Sequence, residues 1–197
     1  MTTISIPGIP WPVEAAASEV WTVDEDRLIG MAPAKTDLFA DPFGRSPRLE
    51  APRLLGDVAG DFLLSARVAV EFAGTFDAGV LLLWQSEDSW AKLCFEYSPQ
   101  GQGMVVSVVT RGLSDDCNSA VIAGSSVYVR VGRRGQGFAF HYSIDGKWWH
   151  MVRAFSLPEG PLRAGFSVQS PWGEGCRVVF DEIRFRAEAL KELRNGE

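Results

Sequence analysis

Between Asp77 and Thr110 the chain offers three strand-like apolar runs, Asp77 to Trp84, Trp90 to Tyr97 and Met104 to Thr110. Successive side chains of a strand point to opposite faces, so the middle run places Ala91, Leu93, Phe95 and Tyr97 on one face and Trp90, Lys92, Cys94 and Glu96 on the other. One face is oily and the other carries polar chemistry. A Lys, a Glu and a Trp at period 2 are what a half-buried sheet with a polar, aromatic-lined surface would show.

The same alternation is clearest in Phe62, Leu64, Ala66, Val68, Val70 and Phe72, which alternate with Leu63, Ser65, Arg67, Ala69 and Glu71. Leu28 to Ala32, ended by Pro33, reads as a first strand, and Val127 to Arg133, Phe138 to Ser143, Ala164 to Ser170 and Arg177 to Phe185 read as later ones. Asp145-Gly146 predicts a tight hairpin with a type I′ turn. Trp148 and Trp149 beside it are expected on opposite faces, one in the core and the other exposed or covering an edge. About ten to twelve strands separated by turn signals are the pattern of an antiparallel sandwich. Long helices are absent, which disfavours a parallel α/β fold, and no long repeat points to a propeller or solenoid. Phe62, Leu64, Val68, Val70, Leu93, Phe95, Phe138, Phe140, Val178 and Phe180 are expected between two sheets, with Arg67, Glu71, Lys92 and Glu96 on the opposite phase.

With 197 residues, 46% of them hydrophobic, the chain is expected to form one domain, 1–197. Residues 1–20 read as an irregular arm with Pro7, Pro10 and Pro12 around Trp11, and residues 187–197 as a charged tail that frays. Thr36 to Pro52 has loop chemistry yet holds Leu38, Phe39 and Phe43, so it must pack on something.

A net charge of −6 with no basic stripe argues against nucleic acid as a partner. Cys94, Cys117 and Cys176 are far apart and lack zinc-site spacing, so free thiols are expected. Met1 to Pro10 has neither a positive n-region nor an apolar run that would enter a membrane, and a cytoplasmic location is expected. His141 and His150 lack a nucleophile at any recognisable spacing, and neither a Gly-x-Ser-x-Gly elbow nor a phosphate-binding glycine loop is found. No cofactor is implied, and oligomeric state is not set by these features.

The order Thr36-Asp37-Leu38-Phe39, Gly60-Asp61-Phe62, Phe76-Asp77-Ala78-Gly79-Val80-Leu81, Trp90-Ala91-Lys92, Glu96, Ser107-Val108-Val109-Thr110, Ser114-Asp115-Asp116, Asp145-Gly146 and Ser170-Pro171 resembles the concanavalin A-like bacterial family known as domain of unknown function 1349. Some members carry a "regulation of enolase" label. The resemblance runs from about Trp11 to Phe185 and implies an all-β, concanavalin A-like jelly-roll sandwich of two antiparallel sheets, in a superfamily rich in lectins and glucan hydrolases. Retaining glucanases of that fold share a Glu-x-Asp-x-Glu strand motif, which this sequence lacks.

A saccharide site needs flat aromatic surface for C–H faces and fixed polar groups for hydroxyls. Trp84, Trp90, Lys92, Glu96, Thr110, Arg111, Asp115 and Asn118 supply that mixture on the face implied to be concave. Thr36 and Asp37 stand either in a loop folded over that face or in an Asx turn, and Asp77 either reaches the site or closes a strand turn. The other reading of the face is a solvated sheet on which Lys92 and Glu96 pair, worth under ~1 kcal/mol. Asp115, Asp116 and Asn118 offer oxygens to calcium, but that ion wants roughly six to eight ligands, so turn chemistry is the expectation and no metal is assigned. The expected function is carbohydrate binding without catalysis. The alternatives are a glycoside hydrolase using two carboxylates from Glu96, Asp37, Asp77 and Asp115, or a protein-interaction domain with an exposed apolar patch.

Overall fold

The computed structural model describes residues 2–197, which form strands, turns and one short 3₁₀ turn, Ser18–Val20. In chain order the strands are β1 (Thr2–Ile4), β2 (Val13–Ala15), β3 (Trp21–Asp24), β4 (Arg27–Pro33), β5 (Leu38–Phe39), β6 (Arg48–Leu49), β7 (Arg53–Val58), β8 (Phe62–Glu71) and β9 (Ala78–Ser86). They continue with β10 (Ser89–Tyr97), β11 (Gly103–Arg111), β12 (Leu113–Ile122), β13 (Ser126–Arg134), β14 (Gly137–Ser143), β15 (His150–Ser156), β16 (Leu162–Gln169) and β17 (Gly175–Arg186). One antiparallel sheet has the order β1-β2-β7-β16-β9-β10-β11-β12, the other β15-β14-β13-β8-β17-β4-β3, and β5 with β6 forms a small separate ribbon. The alternation therefore resolves into the expected jelly-roll sandwich.

All ten residues expected in the core are buried, at 6% exposure or less. Strands β8, β13 and β17 of one sheet face β9 and β10 of the other, while Phe166 of β16 and Phe180 of β17 bring their rings within 4.8 Å across the interior. Outward on β8, Arg67 donates a two-pronged pair of hydrogen bonds to Asp181 at 2.7 and 2.6 Å, and Glu71 accepts one from Arg177 at 2.9 Å. Beyond Leu63, which is buried although it takes the outward phase, the alternation on β8 separates core from outer face as expected.

Four local expectations are corrected, and one strand, β12, is added to those expected. The segment read as an irregular arm contributes β1 and β2 to a sheet edge, and Val13 and Ala15 are fully buried. Strand β12 gave no alternating signal because it is an edge strand, mostly exposed on both faces, so polar residues fill both phases. At Asp145-Gly146 only the glycine has positive φ, 71°. Asp145 instead accepts backbone N–H bonds from Lys147 and Trp148, both at 2.8 Å, and so caps a wider loop. Trp148 is exposed and Trp149 half-buried over a guanidinium, so neither enters the core. Finally, the charged tail is tied down, with Leu190 buried and the carbonyls of Leu193 and Gly196 engaged by His141 and Arg130.

Candidate functional site

On the outer face of the eight-stranded sheet, Trp90, Lys92, Cys94 and Glu96 stand opposite Thr110, Val108, Val106 and Met104 of β11 and Trp84, Leu82, Val80 and Ala78 of β9. That face is not open. The loop carrying β5 and β6 lays Leu38, Phe39, Leu49 and Ala51 onto Trp90, Cys94, Val80 and Leu82, making a second, smaller core. The apolar residues of the 36–52 loop find their partner here, and burying them is what fixes an otherwise polar segment on the sheet.

The part of the face left uncovered is a cavity of about 110 Å³, floored by Lys92, Glu96, Gln169 and Val108 and walled by Asp37, Phe39, Phe76, Asp116 and Pro171. Asp37, Phe39, Phe76 and Pro171 also line an outer cleft of about 290 Å³ that runs on to Asp41, Arg45 and Trp172. Trp172 is 63% exposed and meets Phe76 edge-on at 4.8 Å, placing two aromatic rings at the junction of cavity and cleft.

The floor is built by register. Ala78 lies opposite both Glu96 and Gln169, and its methyl leaves room for the two longer side chains to flank it. Lys92 Nζ donates to Gln169 Oε1 at 2.9 Å, while Gln169 Nε2 donates to the Phe76 carbonyl at 3.2 Å, which fixes the amide. Asp37 Oδ1 lies 3.8 Å from Lys92 Nζ and accepts the Leu38 N–H at 2.7 Å. Burial opposes charge on Lys92, but the surrounding acidic groups, Asp37, Glu96 and Asp116 among them, favour the ammonium and hold it above the ordinary lysine range. Burial pushes the Cys94 thiol far up, so the thiol stays neutral and the carboxyls are what the ammonium meets. Burial also pushes the Glu96 carboxyl up to about 8, against the pull of Lys92 and with a smaller push from Asp116 and Asp37. At neutral pH Glu96 is therefore mostly protonated and able to donate a hydrogen bond.

Of the residues expected at the site, Lys92, Glu96 and Asp37 meet in the cavity. Trp90 is fully buried beneath the loop, its indole N–H on the Glu87 carbonyl, and offers no surface to a ligand. Trp84 is half-buried with the Arg53 guanidinium 4.4 Å from its ring. Thr110 is buried and shares a 2.8 Å hydrogen bond with Ser114, whose hydroxyl also accepts the Ala40 N–H, so this pair fastens the loop. Thr36 hydrogen-bonds the Pro33 carbonyl and pairs with Ser170, as a turn residue does. Asp77 is buried and holds the Ala73 and Gly74 N–H groups and the Ser170 hydroxyl. Its two turns approach so closely that a Cβ on Gly74 would stand 2.6 Å from the Gly173 Cα. Asp115 points to the other side of β12, paired with Arg153 at 2.7 Å, whereas Asp116 faces the cavity, so the two cannot share a cation. Arg111 and Asn118 are exposed outside the cavity lining. Gln169, Asp116, Phe39 and Phe76 were not among the expected site residues. Gln169 was readable in principle, since Phe166 and Val168 are core residues and Ser167 and Gln169 take the opposite phase of β16.

The family described as Protein of unknown function (DUF1349) matches residues 15–188. The chain belongs to this family. No match is found among curated proteins. The DUF1349 chain is similar in structure to a functionally unknown protein from Saccharomyces cerevisiae, with 22% identity and a TM-score of 0.80 over 96% of this chain and 97% of that one. The likeness is thus not confined to bacterial proteins. It is also similar to the GH43 protein BlXynB from Bacillus licheniformis, with 15% identity and a TM-score of 0.66 over 86% of this chain and 35% of that one. A xylan beta-1,4-xylosidase from Bacillus halodurans matches at 12% identity and a TM-score of 0.64 over 87% of this chain and 34% of that one. At these identities the likeness shows the fold alone, and the DUF1349 chain spans about a third of the length of the two Bacillus proteins.

Proposed function

We propose that this DUF1349 chain binds the terminal unit of a neutral or cationic saccharide in the Lys92–Glu96–Gln169 cavity, with the next unit in the outer cleft beside Trp172. The observation that carries this reading is the unspent hydrogen-bonding capacity on the cavity floor. One Lys92 donor is used by Gln169, leaving two for a ligand, and no protein hydrogen bond reaches the Glu96 carboxyl among the described residues. Protonated Glu96 and Lys92 donate, Asp37 and Asp116 accept, and a sugar hydroxyl does both. Phe39 and Phe76 supply the flat apolar walls that C–H faces require. Pockets for drug-sized ligands run from roughly 300 to 1,000 Å³, so the inner cavity suits one small unit and the outer cleft must carry the rest. The presence of this fold within a xylan beta-1,4-xylosidase supports the ligand class.

Calorimetric titration with a panel of neutral and amino oligosaccharides tests the proposal. At least one ligand is expected to bind the wild type, more than tenfold more weakly to Gln169→Ala and severalfold more weakly to Trp172→Ala. No binding across the panel overturns it. Hydrolysis is a second reading with one supporting observation, the protonated Glu96 beside other carboxyls, which is the arrangement of a general acid. Of the four carboxylates considered for that role, Asp77 and Asp115 are spent on structural bonds, leaving Glu96 with Asp37. Turnover of a bound oligosaccharide that disappears in Glu96→Gln while binding persists would establish it, and binding without turnover would dismiss it.

A further inference from the structure

A larger cavity, of about 350 Å³, lies on the outer face of the other sheet. Arg130 of β13 stands at its wall, in register with His141 of β14, and the two side chains are 3% and 0% exposed. Arg130 Nη2 donates to the Gly196 carbonyl at 2.9 Å, the Trp149 ring covers the guanidinium at 4.1 Å, and Nε has no partner among the described residues. Among the described residues no carboxylate answers its charge. Burial, with Arg186 adding like charge, pushes this guanidinium down to about 10. A buried cation without a counter-charge is costly to fold around, and a guanidinium fork is the group that best fits a planar or tetrahedral oxoanion.

The surroundings repeat the message. Lys147, Arg184 and Arg186 line the same cavity, in a chain whose net charge is −6. The acids near it are already engaged: Asp145 caps its own loop, Glu182 accepts from the Tyr128 hydroxyl at 2.7 Å and lies 3.9 Å from Arg184, and Glu188 pairs with one Nη of Arg186 at 2.9 Å, leaving the other donors of that guanidinium for a ligand. A bulge in β17 between Asp181 and Arg184 brings the two arginines to this side. Core residues fall on Val178 and Phe180 before it and on Ile183 and Phe185 after it, so the phase changes by one residue and Glu182, Arg184 and Arg186 turn outward. Glu182 bears the strain of the change, with φ at +48°.

We propose that this cavity is a second binding site, one that takes the oxoanion group of a small molecule, a carboxylate or a phosphate, between Arg130 and Arg186. The test titrates sodium acetate and inorganic phosphate into the full chain, at ionic strength held constant with chloride, while following the indole Nε1–H resonance of Trp149, whose ring covers the Arg130 guanidinium. A saturable shift is expected, at least tenfold weaker in affinity in Arg186→Ala and lost in Arg130→Lys, which keeps the charge but not the fork. Asp116→Asn, in the other cavity, should leave it unchanged. Saturation by phosphate alone identifies a phosphate ester as the ligand, and saturation by acetate alone a carboxylate. Absence of saturation with either probe overturns the proposal, as does equal affinity in wild type and Arg186→Ala. Arg186 is 57% exposed, so its replacement keeps the test decisive even if Arg130→Lys does not fold. The saccharide reading stands or falls separately, because its ligands are uncharged or cationic and its residues lie on the opposite sheet.

Discussion

Strands β8 and β10 carry nearly the same message in sequence and meet opposite fates. Each alternates apolar residues with a basic residue followed four positions later by a glutamate, Arg67 with Glu71 and Lys92 with Glu96. On β8 these side chains stand in solvent and pair with Asp181 and Arg177 of the neighbouring strand. On β10 they are 2% and 9% exposed, beneath a loop anchored by Leu38 and Ala51. Alternation decides which face looks away from the core, and a segment 40 or more residues distant in sequence decides whether that face is wet. Burial then turns an ordinary pair of charges into a site, because a low-dielectric surrounding keeps Glu96 protonated and the Lys92 donors available to a ligand.

Replacing Phe95 with Ala should produce the largest effect. Phe95 lies on the core phase of β10, fully buried and 5.0 Å from the Phe72 ring, so its loss should cost about 3 to 5 kcal/mol in chemical denaturation. A cost below ~1 kcal/mol would mean that β10 is out of register by one residue and that Lys92 faces the interior. Next comes a pH effect peculiar to the covered face. Glu96 holds its proton up to about 8 in the folded chain against an ordinary value of 4.5, so its contribution is fully present below pH 4.5 and fades as the pH rises to about 8. At about 1.4 kcal/mol per pH unit this amounts to a few kcal/mol. Stability curves of the wild type and Glu96→Gln should diverge with rising pH over that interval, the variant losing less. Parallel curves would show that Glu96 is hydrated and the loop does not cover it.

Much of this was legible beforehand, and what was not has physical causes. The sandwich and its ten core residues follow from period-2 alternation, which is a local property of each strand. Lys92 and Glu96 are marked out by their type and phase on β10, whereas Asp37 is marked out by its place in a loop that the family resemblance folds over the sheet. Trp90 is expected at the site from its phase, and nothing local tells a tryptophan on an outer face that Leu38 will cover it. Asp115 and Asp116 are adjacent, and only the pairing of β12 with β11 says that Asp116 is the one facing the cavity. Gln169 gains its role from a strand that is two places from β10 in the sheet and more than 70 residues away in the chain. The charge of the tail predicts fraying, yet backbone carbonyls, which sequence does not display, are what Arg130 and His141 hold.

A direct contrast of the two basic residues should give an intermediate effect. Lys92→Met leaves Asp37 facing an apolar side chain in a mostly closed cavity and should cost about 2 kcal/mol, less than a fully buried pair would because Asp37 keeps some exposure. Arg67→Met removes a better-formed, two-pronged pair but at a surface where water competes, and should cost under ~1 kcal/mol. Equal costs in denaturant titrations would remove the distinction between the faces.

The smallest expected effect is Glu71→Ala. Glu71 ends β8 with its side chain 68% exposed and one hydrogen bond to Arg177, which is itself 36% exposed. Both charges are already hydrated, so bringing them together gains little Coulomb energy and restricts two flexible side chains, and the net loss on mutation should be less than ~0.5 kcal/mol. Raising the salt to 1 M shortens the screening length to about 3 Å, which should erase what difference remains. A salt-insensitive loss as large as that of Lys92→Met would mean that something covers the outer face of β8 as the 36–52 loop covers β10. The contrast between the strands would then rest on their sequences after all, and the loop would no longer be what makes the site.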